Sequence, residues 1–370
     1  LNRREESLDA LRGLAALVVV IAHTTIAGLY KVEPLWGYLK WSPLKIFWSG
    51  HQAVILFFVL SGFALARMWQ DLKNNRYDAY FAARVVRLYP PYIASIMLAL
   101  IVYNAASGII EWDGGWMSIP KPDFNLGLLI NHVMMIGQFN TSEVNPPIWS
   151  IVHEMRISII FPLIYLLVSR FNGWAVGGFY LVSTWIGWAM LGNVQLSGVQ
   201  GDILQTVHYS TFFAVGALIA LRQDSICSMF NGVFQSKRIL LWSLALILYA
   251  YPFDNPWNLG CRAFGDMAIG IGSAMIVCLA LTMRSSVLVT FGGYLGKISY
   301  SLYLNHILAL NISILFFYRE YGAAVVWFVA ILSALLISTV MHKVVEVPSI
   351  SASRYLRKRI SRLGRSKKLR

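Results

Sequence analysis

Long apolar runs recur along the whole chain, separated by short polar segments. A helix rises about 1.5 Å per residue, so roughly 18 or more apolar residues cross a hydrocarbon core of about 30 Å. About ten runs read as spans, at roughly 10–29, 48–68, 88–107, 149–169, 174–192, 207–222, 239–253, 265–283, 296–317 and 323–343, the one at 239–253 being short. The pattern predicts an all-α fold: a polytopic transmembrane helical bundle of about ten spans. Segment 125–140 (NLGLLINHVMMIGQFN) is apolar but short, and predicts an interfacial or re-entrant helix ahead of Pro146-Pro147. The first run is read as a span and not a cleaved leader, because it carries Arg12 and His23 and further spans follow.

Composition agrees. The 370 residues are 57% hydrophobic and 13% charged, where a soluble protein carries about 25% charged residues. Net charge is +14, a value that can signal nucleic acid. Its distribution points elsewhere. Nine basic residues lie between Arg354 and Arg370, and others sit in short loops: Lys73, Arg76, Arg84 and Arg87, then Arg170, then Lys237 and Arg238, then Arg284. The alternate loops carry Glu33, Glu111, Asp113, Asp123, Glu143, Asp202 and Asp254. The positive-inside rule then places both termini in the cytoplasm. Residues 1–348 read as one membrane domain and 349–370 as a basic cytoplasmic tail facing an anionic leaflet. No disulfide is expected among Cys227, Cys261 and Cys278, which fall in an inner loop, an outer loop and a span.

Ionisable groups inside spans cost about 2.5–3.5 kcal/mol or more, so each is a candidate for function. Arg12 and His23 lie eleven residues apart on nearly one face of the first span. The plain alternatives are an anchor paired with Asp9 for Arg12, and an interhelical hydrogen bond for His23. Glu154 and His153 sit about two turns into the fourth span, at a depth similar to that of His23. Glu154 is preferred as a partner for an imidazole, against the alternative that it neutralises Arg156. Tyr300, Tyr303 and His306 recur every three residues and approximately share a face. Ser61-Gly62 marks either close helix packing or a narrow passage. Arg84 and Arg87, just before Pro90-Pro91, form a pair suited to phosphate oxygens, or an ordinary basic loop. No metal site is expected.

These segments together resemble the acyltransferase-3 family of integral membrane O-acyltransferases. The matching pieces are LDALRGLAALVVVIAH (8–23), FFVLSGF (57–63), RVVRLYPPY (84–92), WSIVHE (149–154), SYSLYLNH (299–306) and EVP (346–348), in family order. The resemblance implies about ten spans in a bacterial inner membrane. It also implies transfer of an acyl group, acetyl in most members, from cytoplasmic acyl-CoA to a hydroxyl of a surface or exported polysaccharide or its lipid-linked precursor. Acyl-CoA is then a co-substrate, with no permanently bound cofactor. The partners are the carbohydrate acceptor and the bilayer, and not nucleic acid. The functional pair Arg12 and His23, the arginines Arg84 and Arg87, and Glu154 carry over. His153 departs from the family pattern.

The expected site has two layers. Arg12, Arg84 and Arg87 hold the CoA phosphates, and the donor arm enters near Ser61. His23 takes the proton of the acceptor hydroxyl, Glu154 orients the imidazole, and Tyr303 or His306 donates to the oxyanion. The competing readings are a secondary transporter or sugar exporter, for which internal repeats are missing from the sequence, and a scaffold without chemistry.

Overall fold

The computed structural model describes residues 3–28, 38–39, 41–72, 76–106, 126–134, 144–192, 199–251, 259–283 and 286–366. Among these there is no strand. The chain runs through α1 (Arg3–Gly28), a short 3-10 turn (Pro43–Trp48), α2 (Gly50–Gln70), α3 (Tyr77–Ala106) and α4 (Leu126–Met134). It continues through α5 (Ile148–Phe171), α6 (Gly173–Gly192), α7 (Val199–Leu221), α8 (Gln223–Asn231), α9 (Gln235–Ala250) and α10 (Leu259–Ala280). It ends with α11 (Ser286–Met341), a π-helical turn (His342–Glu346) and α12 (Val347–Ser366).

Seven described stretches are long and apolar enough to cross a membrane: Glu6–Thr25, Gly50–Gln70, Tyr77–Ala105, Ile148–Phe171, Gly201–Leu221, Ala263–Ala280 and Gly292–Ser361. The last holds two expected spans. Between them Gly322 has φ +72°, a conformation that favours glycine, and it divides α11 into two limbs. Residues 174–192 fall in α6 and residues 239–250 in α9, helices outside the seven; residues 252–253 of the expected span lie outside the described residues. Within segment 125–140 the described residues 126–134 form the nine-residue α4, whose Leu129, Ile130, Val133 and Met134 are exposed.

One boundary is corrected. The third run is read from residue 88, but α3 begins at Tyr77 and carries Pro90 and Pro91 inside it. Each proline lacks an N–H, so the carbonyls of Val86 and Arg87 lose their intrahelical donors. Packing carries the helix through. Tyr92 is fully buried and its hydroxyl donates to the His132 carbonyl at 2.8 Å, while Tyr300 donates to the Leu88 carbonyl at 3.0 Å.

The chain divides into two compact units: residues 1–15, 51–77 and 153–296, and residues 16–50, 78–152 and 297–370. In the first, α2 and α7 meet backbone to backbone. A Cβ on Gly62 would lie 2.2 Å from the Phe213 carbonyl oxygen, and one on Gly216 2.0 Å from that of Val59. Small residues permit this approach, and the rings of Phe58, Tyr209 and Phe213 close around it. In the second unit, α3 runs beside the first limb of α11. Leu88 meets Tyr300 and Ser95 meets Leu304, so the two helices run in the same direction. The limbs of α11 pack together through Ile307, Leu310 and Ile314 against Val326 and Ala330.

Candidate functional site

The second unit brings His23, Tyr303 and His306 together. His23 lies on α1, and its Nδ1–H donates to the Val19 carbonyl one turn back, at 2.9 Å. His306 lies on α11, and its Nδ1–H donates to the Tyr303 carbonyl at 2.7 Å. Both Nδ1 atoms face carbonyls and therefore carry the protons, so each Nε2 has a lone pair. The Nε2 of His306 stands 3.3 Å from Nδ1 of His23 and shares its proton. The ring centroids are 4.9 Å apart. His306 is buried and His23 partly exposed, so His23 is the more accessible imidazole of the two.

Tyr303 holds this pair in place. Its hydroxyl donates to the Pro147 carbonyl at 3.0 Å and lies 2.7 Å from the Ser150 hydroxyl, tying α11 to the start of α5. The Leu304 carbonyl accepts from Ser95 at 3.1 Å and from Asn145 at 2.8 Å. The oxyanion role expected for Tyr303 or His306 therefore meets hydrogen bonds these groups already make.

Arg84 and Arg87 share α3 with Ser95. Arg84 is buried and Arg87 exposed, so the pair straddles the boundary of the unit. Arg84 and Ser95 are eleven residues apart, about 16 Å along the helix axis. Since Ser95 contacts Leu304, two residues before His306, the arginines lie several turns from the imidazoles within one unit.

Arg12, Ser61 and Glu154 lie in the first unit. Arg12 pairs with Asp9 at 2.6 Å and donates to the Leu60 carbonyl at 3.3 Å. The anchor expected as its plain alternative is thus present, and it also grips α2 one residue before Ser61. Ser61 donates to Glu154 at 3.3 Å. Arg156 finds a carboxylate in Asp202 at 2.7 Å. His153 donates from Nδ1 to Thr206 at 2.9 Å, so it belongs to the α5–α7 contact. The eleven-residue spacing from Arg12 to His23 falls within one uninterrupted helix.

Two polar clusters escaped the sequence reading. In the first unit, buried Asp266 accepts from His51 at 2.5 Å and from His208 at 3.1 Å, and His208 Nδ1 meets Ser183 at 2.5 Å. Asp266 in the apolar run AFGDMAIG was the available signal. In the second, buried Glu346 accepts from Ser301 at 2.6 Å and from His342 at 3.0 Å within the π-helical turn. The matched EVP piece was the only hint. Among the described residues no cluster of His, Cys, Asp or Glu is arranged to hold a metal.

The structure is that of a multi-pass helical membrane protein with imidazole, carboxylate and guanidinium groups set among its apolar helices. The chain belongs to the Acyl_transf_3 family, an acyltransferase domain whose model matches residues 5–343. It is also 27% identical over 168 residues to the acyltransferase MdmB of Streptomyces mycarofaciens. That match covers 45% of this chain and 41% of the relative. No solved structure matches the chain.

Proposed function

We propose that this protein is a membrane O-acyltransferase of the bacterial inner membrane, with both termini in the cytoplasm. It takes an acyl group, acetyl first, from cytoplasmic acyl-CoA and passes it to a hydroxyl of a surface or exported polysaccharide or its lipid-linked precursor. The family supports the reaction class. The observation that carries the mechanism is the two-layer order inside one unit: Arg84 and Arg87 lie about 16 and 12 Å along α3 from Ser95, which meets α11 at Leu304, two residues before the His306 that contacts His23.

Arg84 and Arg87 neutralise the phosphates of the donor, and its extended arm reaches toward the imidazoles. The acceptor hydroxyl gives its proton to Nε2 of His23 as its oxygen attacks the thioester carbonyl carbon. The carbon–sulfur bond then breaks, and the proton passes from His23 to the CoA sulfur, leaving no net proton gained or lost. His306 shares the Nδ1 proton of His23 and so steadies the ring as it becomes cationic, a role analogous to the orienting acid of a catalytic triad. Arg12 and Glu154 carry over on the family resemblance, Arg12 to the donor phosphates, and Ser61 is read on the path of the donor arm.

Mass spectrometry of surface glycans from cells with and without the protein tests the reading, together with thioester consumption by purified protein in lipid nanodiscs. Loss of one acyl mass in the cells lacking it is expected. An unchanged glycan pattern and no acceptor-dependent release of CoA would sink the proposal.

A further inference from the structure

The family match ends at residue 343, and the chain continues as α12. From Val347 to Arg370 there is no acidic residue, while Arg354, Arg357, Lys358, Arg359, Arg362 and Arg365 fall on the helix. Its two faces differ. Ser349 and Ser353 are buried, with Ile350, Leu356 and Ile360 partly so, and the Ser353 hydroxyl donates to the Ala83 carbonyl at 2.6 Å. The opposite face presents Arg354, Tyr355, Lys358 and Arg359 outward, with Tyr355 64% exposed.

We infer that this outward face binds the headgroups of anionic phospholipids. Three observations argue for that occupant. Among the described side chains of α12, Ile350, Leu356 and Ile360 are turned partly inward, and the outward face between 354 and 359 is mainly cationic. Ala83 lies just over one turn before residue 88, where the apolar run of α3 begins, so the Ser353 contact sets α12 near the lipid–water boundary. An exposed tyrosine between basic side chains suits that boundary, where an aromatic ring meets acyl chains and the charges meet phosphates. The inference is independent of the acyl-transfer proposal.

The test uses full-length protein reconstituted in vesicles of mixed phosphatidylglycerol and phosphatidylcholine, re-extracted mildly, with retained lipids counted by native mass spectrometry. Wild type is expected to enrich phosphatidylglycerol. The triple variant Arg354→Gln/Lys358→Gln/Arg359→Gln should lose that enrichment by about fivefold or more. High salt should weaken it, and the charge-retaining Arg354→Lys/Arg359→Lys should preserve it. Equal enrichment in wild type and the triple variant overturns the inference. So does a triple variant that keeps its lipids but raises the KM for acyl-CoA, which would assign the face to the donor. Neither lipid readout requires acyl transfer, so a failure here leaves the proposed reaction untouched.

Discussion

His306 presents Nε2 to Nδ1 of His23 at 3.3 Å, and the same His23 nitrogen faces the Val19 carbonyl at 2.9 Å. Two acceptors therefore converge on one N–H. That fixes the tautomer of His23 and turns its lone pair, at Nε2, toward proton abstraction.

His23→Ala is expected to remove general-base catalysis and lower kcat by about 10²–10⁴-fold while the protein inserts and purifies normally. A fully active His23→Ala protein would reject the role.

His306 acts through His23 and is a positioning residue. His306→Ala should lower kcat by about 10²-fold and leave the KM for acyl-CoA unchanged. His306→Gln should recover part of the loss, since an amide oxygen can still accept from the His23 N–H. Steady-state kinetics of the two variants separate this from a folding defect, which would affect both alike.

The apolar runs and their helical period made the fold class legible, because crossing lipid leaves few alternatives to a long apolar helix. The pairing of His23 with His306 was not legible, since 283 residues separate them and only folding brings them together. Spacing along one helix favoured Arg12 as the companion of His23, and the structure gives Arg12 a partner three residues away in Asp9. At Pro90-Pro91 the apolar run from residue 88 did not mark a helix start, because the packing of Tyr92 and Tyr300 carries α3 through the prolines. Asp266 could have been found from its cost alone, but its two histidine partners come from helices far away in sequence.

Arg84 and Arg87 should act on the donor. Replacing either with Ala is expected to raise the KM for acyl-CoA by about tenfold, at one to two charge-assisted contacts each, with less effect on the acceptor. Buried Arg84 should also lower thermal stability when truncated, whereas exposed Arg87 should not. Equal KM increases for donor and acceptor in Arg87→Ala would overturn the assignment.

The contact of α2 with α7 leaves no room for a side chain. Gly62→Ala or Gly216→Ala places a methyl group against backbone atoms, which must then separate, and overpacking of this kind costs about 1–3 kcal/mol. Ser61 shares this helix, so its 3.3 Å bond to Glu154 should lengthen as α2 shifts. Thermal unfolding in detergent should show lower midpoints for both variants. An unchanged midpoint would mean that the helices are less closely packed than the distances indicate.

Asp266 offers the sharpest test of an electrostatic anchor. A buried carboxylate needs compensation, and here His51 and His208 approach its two oxygens from different helices. Asp266→Asn keeps the shape and one acceptor but puts an N–H donor in place of the second oxygen, so one imidazole N–H loses its acceptor. Leaving a buried polar group unsatisfied costs about 1–3 kcal/mol, and the variant should unfold at a clearly lower temperature. His51→Gln should cost less, because the His51 side chain is 18% exposed and water can replace what it loses, whereas that of His208 is 4% exposed. The expected order of midpoints is therefore wild type, His51→Gln, His208→Gln, Asp266→Asn. If Asp266→Asn melts with wild type, the carboxylate is not what holds α2, α7 and α10 together.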